Sequence, residues 1–186
     1  MKKLILASKS PRRQDLLARL EYTFEIRTKE IEEIYPEDLD PSKIPVFLSE
    51  LKAAPFKEEL KSDEILITSD TIVILENEVL EKPKDRADAV KMLSKLSGST
   101  HSVITAVSLT SNAKQVSFSD ETFVTFKEIT LQQIEHYVDN YEPYDKAGSY
   151  GIQEWLGYIA IEKIEGCYFN VMGFPLRLVY EEIEKF

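Results

Sequence analysis

The stretch Lys3-Leu4-Ile5-Leu6-Ala7-Ser8-Lys9-Ser10-Pro11-Arg12-Arg13 decides how the chain is read, because it passes from strand to helix within a few residues. Residues 3–7 form a short apolar run of strand type. Leu16, Leu17 and Leu20 then recur at helical spacing. Pro11 suits the first helical turn, where a missing N–H costs nothing. Ser10 is then the expected N-cap. The unpaired N–H groups of such a terminus, with the positive end of the helix dipole, favour an anion. The hydroxyls of Ser8 and Ser10 and the guanidinium groups of Arg12 and Arg13 crowd the same spot. The junction reads as a place for phosphates.

A chain of 186 residues is expected to form one domain, or one domain pinched into two lobes, with a substantial core. Its 43% hydrophobic and 30% charged content is that of an ordinary globular protein. No apolar stretch approaches the roughly 20 residues that span a bilayer. The opening apolar run is too short for a signal peptide, and Lys9, Arg12 and Arg13 interrupt it, so a cytoplasmic protein is expected. The single Cys167 leaves no internal disulfide and fits a reducing compartment. Two histidines do not support a histidine-rich zinc site. The net charge of −10 argues against non-specific binding to nucleic acid or an anionic membrane. It also means that a phosphate site needs a local basic cluster and a metal ion to offset the repulsion.

Strands are expected at 3–7, 23–27, 65–75, 102–110, 116–126 and 157–164. Glu76-Asn77-Glu78 reads as a turn that sends Val79-Leu80 back as a hairpin partner. Helices are expected at 12–20, 42–60, 85–96, 130–141 and 175–185, with Pro55 stopping or kinking the second near Ala54. Leu131, Ile134, Val138 and Tyr141 share one face of the fourth. The mixture implies an α/β or α+β layered domain and leaves the strand directions open.

Five further segments carry chemistry-bearing residues. In Thr68-Ser69-Asp70-Thr71, a carboxylate stands between apolar runs. Asp70 is either a turn aspartate capped by its neighbours or a metal-binding carboxylate that orients or deprotonates a water. Lys82, in Glu81-Lys82-Pro83, is either an ammonium on a stiff backbone or a solvated loop residue. Lys52, alone on an otherwise apolar-to-small helix stretch, reads by default as a snorkelling surface lysine. In Asp145-Lys146-Ala147-Gly148-Ser149-Tyr150-Gly151-Ile152-Gln153, two glycines allow close approach to a ligand. There Tyr150 could stack on a ring, and the Gln153 amide could bond the edge of a base; a plain connecting loop is the alternative. Asn170-Val171-Met172-Gly173-Phe174-Pro175 reads as a structural turn and helix start. Neither His101 nor His136 is given a catalytic role.

Together these segments, with Leu96-Ser97-Gly98, resemble the Maf family of nucleotide pyrophosphatases across essentially the whole chain, 1–186, read as one domain. The Ala147–Gln153 run is similar to the subgroup acting on dTTP and UTP. The chain departs from the commoner pattern at Ser69, Glu154 and Phe174, where Ala, Gly and Leu are usual. The resemblance implies an elongated α/β fold like that of inosine triphosphatases, with a central mixed sheet, flanking helices and a cleft between two lobes. It implies hydrolysis of a nucleoside triphosphate to monophosphate and pyrophosphate with a divalent metal cation, Mg2+ or Mn2+. By position, Asp70 matches the proton acceptor, and Arg12, Thr71 and Gln153 match the specificity positions. Ser8, Arg13, Lys52 and Lys82 match the phosphate-contacting set, and Glu33 an acidic position near the metal beside Asp70. The family leaves room for a homodimer. Two rival readings are a nucleotide-binding regulator of cell division with little turnover, and a phosphatase that removes the γ-phosphate.

Overall fold

Strand β1 (Lys3–Leu6) is buried from Leu4 onward and lies between two parallel neighbours, β2 (Phe24–Ile26) and β3 (Glu64–Leu75). Parallel pairing needs a crossover, and here helices provide it. Helix α1 (Pro11–Ala18) links β1 to β2, and α2 (Ile44–Ala53) precedes β3. The computed structural model describes residues 2–186. The remaining strands are β4 (Glu78–Leu80), β5 (Thr100–Thr110), β6 (Gln115–Phe126) and β7 (Ile161–Glu165). The sheet order is β2-β1-β3-β5-β6-β7, with β4 on β3. The β3–β4 and β6–β7 pairs are antiparallel, so the sheet is mixed. The other helices are α3 (Arg86–Leu96), α4 (Leu131–Tyr141), α5 (Trp155–Ala160), α6 (Tyr168–Val171) and α7 (Leu176–Lys185).

The chain divides into two compact units. The first holds residues up to Thr71, Thr105–Asp120 and Gly173–Phe186. Ser10 caps α1 with Pro11 in its first turn, as the sequence predicts. Helix α2 stops where Pro55 removes an N–H, and the backbone tightens into a 3-10 segment, Ala54–Glu59. Ile5 and Leu66 lie side by side on adjacent strands and pack with Ala53, Phe56 and Leu60. Burying a side chain of that size contributes about 1.5–3 kcal/mol.

The second unit holds Ile72–Ile104 and Glu121–Met172. Glu76 and Asn77 both adopt left-handed φ, 50° and 73°, the turn that a two-residue hairpin requires. Asp85 caps α3, accepting the Asp88 N–H at 2.9 Å, and Thr130 and Gln133 form a reciprocal capping box on α4. Val73, Leu93, Val124, Phe126, Val138 and Leu156 belong to one continuous core.

Three expectations need correction. The strand expected at 157–164 begins only at Ile161, because residues 155–160 are α5. A Cβ at Gly157 would lie 2.2 Å from the Ile152 carbonyl oxygen, so this glycine lets a helix turn press against the preceding loop. On α4 the buried residues are Ile134, Tyr137 and Val138, whereas Leu131 and Tyr141 are exposed. Helix α6 takes in Asn170 and Val171, where only a turn is expected.

Candidate active site

Strand β3 alternates its side chains, and that alternation sorts the chemistry of the first unit. Thr68 and Asp70 face α2: the Thr68 hydroxyl donates to the Ser49 carbonyl at 2.6 Å, and Lys52 Nζ lies 2.5 Å from Asp70 Oδ1. Thr71 faces α1, where Arg13 Nη2 donates to its hydroxyl at 3.0 Å. Asp70 is buried, with 7% of its surface exposed. A carboxylate there demands a cationic or hydrogen-bonding partner. Lys52 provides one and also lies 3.0 Å from Glu33 Oε1. The expected catalytic aspartate, acidic neighbour and phosphate-contacting lysine thus meet around one ammonium.

Arg13 ties this arrangement to two other stretches. Nε donates to the Gly173 carbonyl at 2.9 Å and Nη1 to the Ser69 carbonyl at 2.8 Å, besides the bond to Thr71. Burial pulls the guanidinium below its ordinary pKa, the charge of Asp70 acts against that, and neighbouring Arg12 adds to it. Gly173 has φ 97°, and a Cβ there would lie 3.4 Å from Thr71 Oγ1. The turn at Gly173 is therefore structural, as read, but its carbonyl also orients Arg13. The Thr71 hydroxyl further shares a 2.9 Å hydrogen bond with Thr105 on β5, a partner without any sequence signal. Ser8 is buried; its Oγ accepts the Ser10 N–H at 3.2 Å, and its carbonyl accepts from Gln14 Nε2 at 3.1 Å. Arg12 follows Pro11 in the first turn of α1 and is partly buried.

Lys82 and Gln153 belong to the second unit. Lys82 is exposed on the loop after β4, beside buried Pro83. The preceding carbonyl, of Glu81, accepts the Gly148 N–H at 3.2 Å, so the Lys82 loop is pinned to the segment that leads to Gln153. The glycines of that segment serve its own packing. A Cβ at Gly148 would lie 3.0 Å from the Val73 side chain, and one at Gly151 would lie 2.7 Å from that of Glu154. Tyr150 does not offer its ring to a ligand. It is buried edge-on against His101 and Phe126, and its hydroxyl lies 2.7 Å from His101 Nε2. Burial holds the His101 imidazole down at about 4. Gln153 differs: its Oε1 is buried with no hydrogen-bond partner among the described residues. A buried acceptor without a donor is expensive, and a ligand N–H would relieve it.

No group of three or more His, Cys, Asp or Glu among the described residues is arranged to hold a metal ion. Asp70 and Glu33 nevertheless present carboxylate oxygens to one cation, the Lys52 ammonium. That donor set fits Mg2+ or Mn2+, since Mg2+ uses one or two carboxylates and takes its other ligands from water and substrate phosphates. No helix among the described residues is long and apolar enough to cross a membrane.

Comparison with known proteins agrees with the family resemblance. A family model for Maf-like proteins matches residues 3–186. A dTTP/UTP pyrophosphatase of Flavobacterium johnsoniae is 52% identical over 179 residues, covering 96% of this chain and 92% of its own. One from Porphyromonas gingivalis is 45% identical over 187 residues, covering 99% and 94%. Among solved structures, a HAM1 protein from Coxiella burnetii aligns over the full length of both chains with TM-score 0.51 and 12% identity. The Staphylococcus aureus Ham1 protein gives TM-score 0.51 at 13% identity over 67% of this chain and 72% of its own. At such identities the structural matches speak for the fold alone.

Proposed function

Because this chain belongs to the Maf family, we propose that it is a nucleoside triphosphate pyrophosphatase, acting on dTTP and UTP and releasing monophosphate and pyrophosphate. The observation that carries the reading is the buried Asp70 carboxylate, held by Lys52 and flanked by Glu33 and by the Arg13–Thr71 pair. We take residues 3–186, the length matched by the family, as one functional domain. The lone Cys167 fits a cytoplasmic enzyme.

In this reading Asp70 accepts the proton of a water whose oxygen bonds to the α-phosphorus. The bridging bond from the α-phosphorus to the oxygen shared with the β-phosphorus breaks, and that electron pair leaves on pyrophosphate. Asp70 and Glu33 would hold the divalent cation, which when bound lowers the pKa of water and neutralises phosphate charge. Ser8, Arg12, Lys52 and Lys82 contact phosphate oxygens, and each charge-assisted bond contributes roughly 1.5–3 kcal/mol. The N-terminus of α1 adds on the order of 0.3–1 kcal/mol. Arg13 acts chiefly by holding Ser69, Thr71 and Gly173 in register. Arg12 and Thr71 contribute to substrate choice. Gln153 reads the base: its unpaired Oε1 suits the N3–H of uracil or thymine, whereas cytosine has an acceptor at that position.

Incubation with dTTP and Mg2+, followed by separation of products, tests the proposal. The expected products are dTMP and pyrophosphate; dTDP and phosphate, or no turnover, would overturn it.

A further inference from the structure

A buried polar network underlies the loop that carries Gln153. Tyr137, on α4, is fully buried, and its hydroxyl is engaged in two directions. It accepts the Gly151 N–H at 3.0 Å and donates to Glu154 Oε2. The other carboxylate oxygen, Glu154 Oε1, lies 3.1 Å from Lys146 Nζ. Lys146, itself buried, also pairs with Asp145 Oδ1 at 2.7 Å. The Glu154 N–H closes the turn on the Gly151 carbonyl at 3.1 Å. Residues 145–146 and 151–154 are therefore held by a tyrosine hydroxyl and a carboxylate. Gln153 stands inside the closed turn, and its own carbonyl accepts from the Tyr158 hydroxyl.

None of this is needed to fill space, since apolar side chains would do that without burying a lysine beside a half-buried glutamate. Buried charges are costly unless paired, and a fully paired network narrows the backbone to one conformation. Burial and the neighbouring Glu154 raise the Tyr137 pKa, so the hydroxyl keeps the proton that it donates. The side chain whose position gains most from this rigidity is Gln153, because discrimination by an unpaired acceptor requires that acceptor to stay in place.

We propose that Tyr137 and Glu154 are positioning residues for base selection, locking the loop so that Gln153 discriminates uracil and thymine from cytosine. The inference rests on Gln153 reading the base. Its test is kcat and KM for UTP, dTTP and CTP in the full chain with Mg2+, for Tyr137→Phe, Glu154→Gln and Gln153→Ala, and for each of the first two combined with the third. Tyr137→Phe should lower the UTP-over-CTP ratio of kcat/KM about five- to tenfold, mainly by raising the KM for UTP, with kcat within about twofold. Glu154→Gln keeps an acceptor for the Tyr137 hydroxyl, so it should show a smaller effect of the same kind while preserving the fold. Neither should lower the ratio further in the Gln153→Ala background. If Gln153→Ala lowers the ratio but both clamp variants keep the wild-type value, or if their effects simply add to that of Gln153→Ala, the positioning role is wrong. If Gln153→Ala itself leaves the ratio unchanged, the base reading falls and the clamp with it.

Discussion

Lys52 Nζ lies 2.5 Å from Asp70 Oδ1, and the same ammonium lies 3.0 Å from Glu33 Oε1. One cation position is thus shared by two carboxylates that the chain brings from β3 and from the segment before α2. Lys52→Met removes the ammonium and leaves Asp70 buried opposite Glu33. Thermal stability should fall by about 1–3 kcal/mol. Mn2+ should then raise the melting temperature of Lys52→Met more than that of the wild type, because both carboxylates are released to the metal. Equal Mn2+ shifts in the two proteins would contradict a metal position between Asp70 and Glu33.

Asp70→Asn keeps the shape of the side chain but cannot accept the proton of the attacking water. Pyrophosphate release should drop by about 100-fold or more, with dTTP binding by calorimetry still measurable. Near-normal turnover would remove Asp70 from its role.

Arg13→Lys exchanges a flat fork for a single ammonium. It cannot reach Gly173, Ser69 and Thr71 together, as the guanidinium does. A loss of about 2–4 kcal/mol in denaturant unfolding is expected, together with reduced turnover. An unaltered unfolding midpoint would show that these bonds do not hold the site together.

His101 yields a pH prediction. Its ordinary pKa is 6.5, and burial lowers it to about 4 in the folded chain. Between those values the unfolded chain takes up a proton that the folded chain refuses. The stability associated with neutral His101 is thus complete above about 6.5 and is lost as pH falls toward 4, by about 3 kcal/mol in all. Melting temperatures recorded from pH 4 to pH 7 should fall less steeply for His101→Gln than for the wild type. Parallel curves would show that the histidine is not buried as the structure has it.

Much of the local architecture could be read from the chain. The Ser10 cap, Pro11 in the first turn, the end of α2 before Pro55 and the Asn77 hairpin are short-range effects of residues a few positions apart. Asp70 stood out because a carboxylate between apolar runs needs a partner. What escaped the reading depends on partners distant in sequence. Tyr150 looked available for stacking, yet His101 and Phe126 enclose it. Trp155–Ala160 carries strand-like residues but forms a helix, because Gly157 lets it press against the Ile152 backbone. Tyr137 falls inside the helix expected at 130–141, and nothing nearby in sequence marks it as the partner of Gly151 and Glu154.

Most of the strands and helices, the Ser10 cap at the junction after β1 and the ordered motifs from Ser8 to Gln153 followed from sequence alone, since capping, periodicity and glycine placement act over a turn or a pleat. The folded chain decided which charges meet. Lys52 reaches Asp70 and Glu33, and Arg13 reaches Gly173, only because parallel strand pairing sets α1 and α2 against β3. Electrostatic partnership depends on distance in space and on exclusion of water, and neither is written in the spacing of residues along the chain.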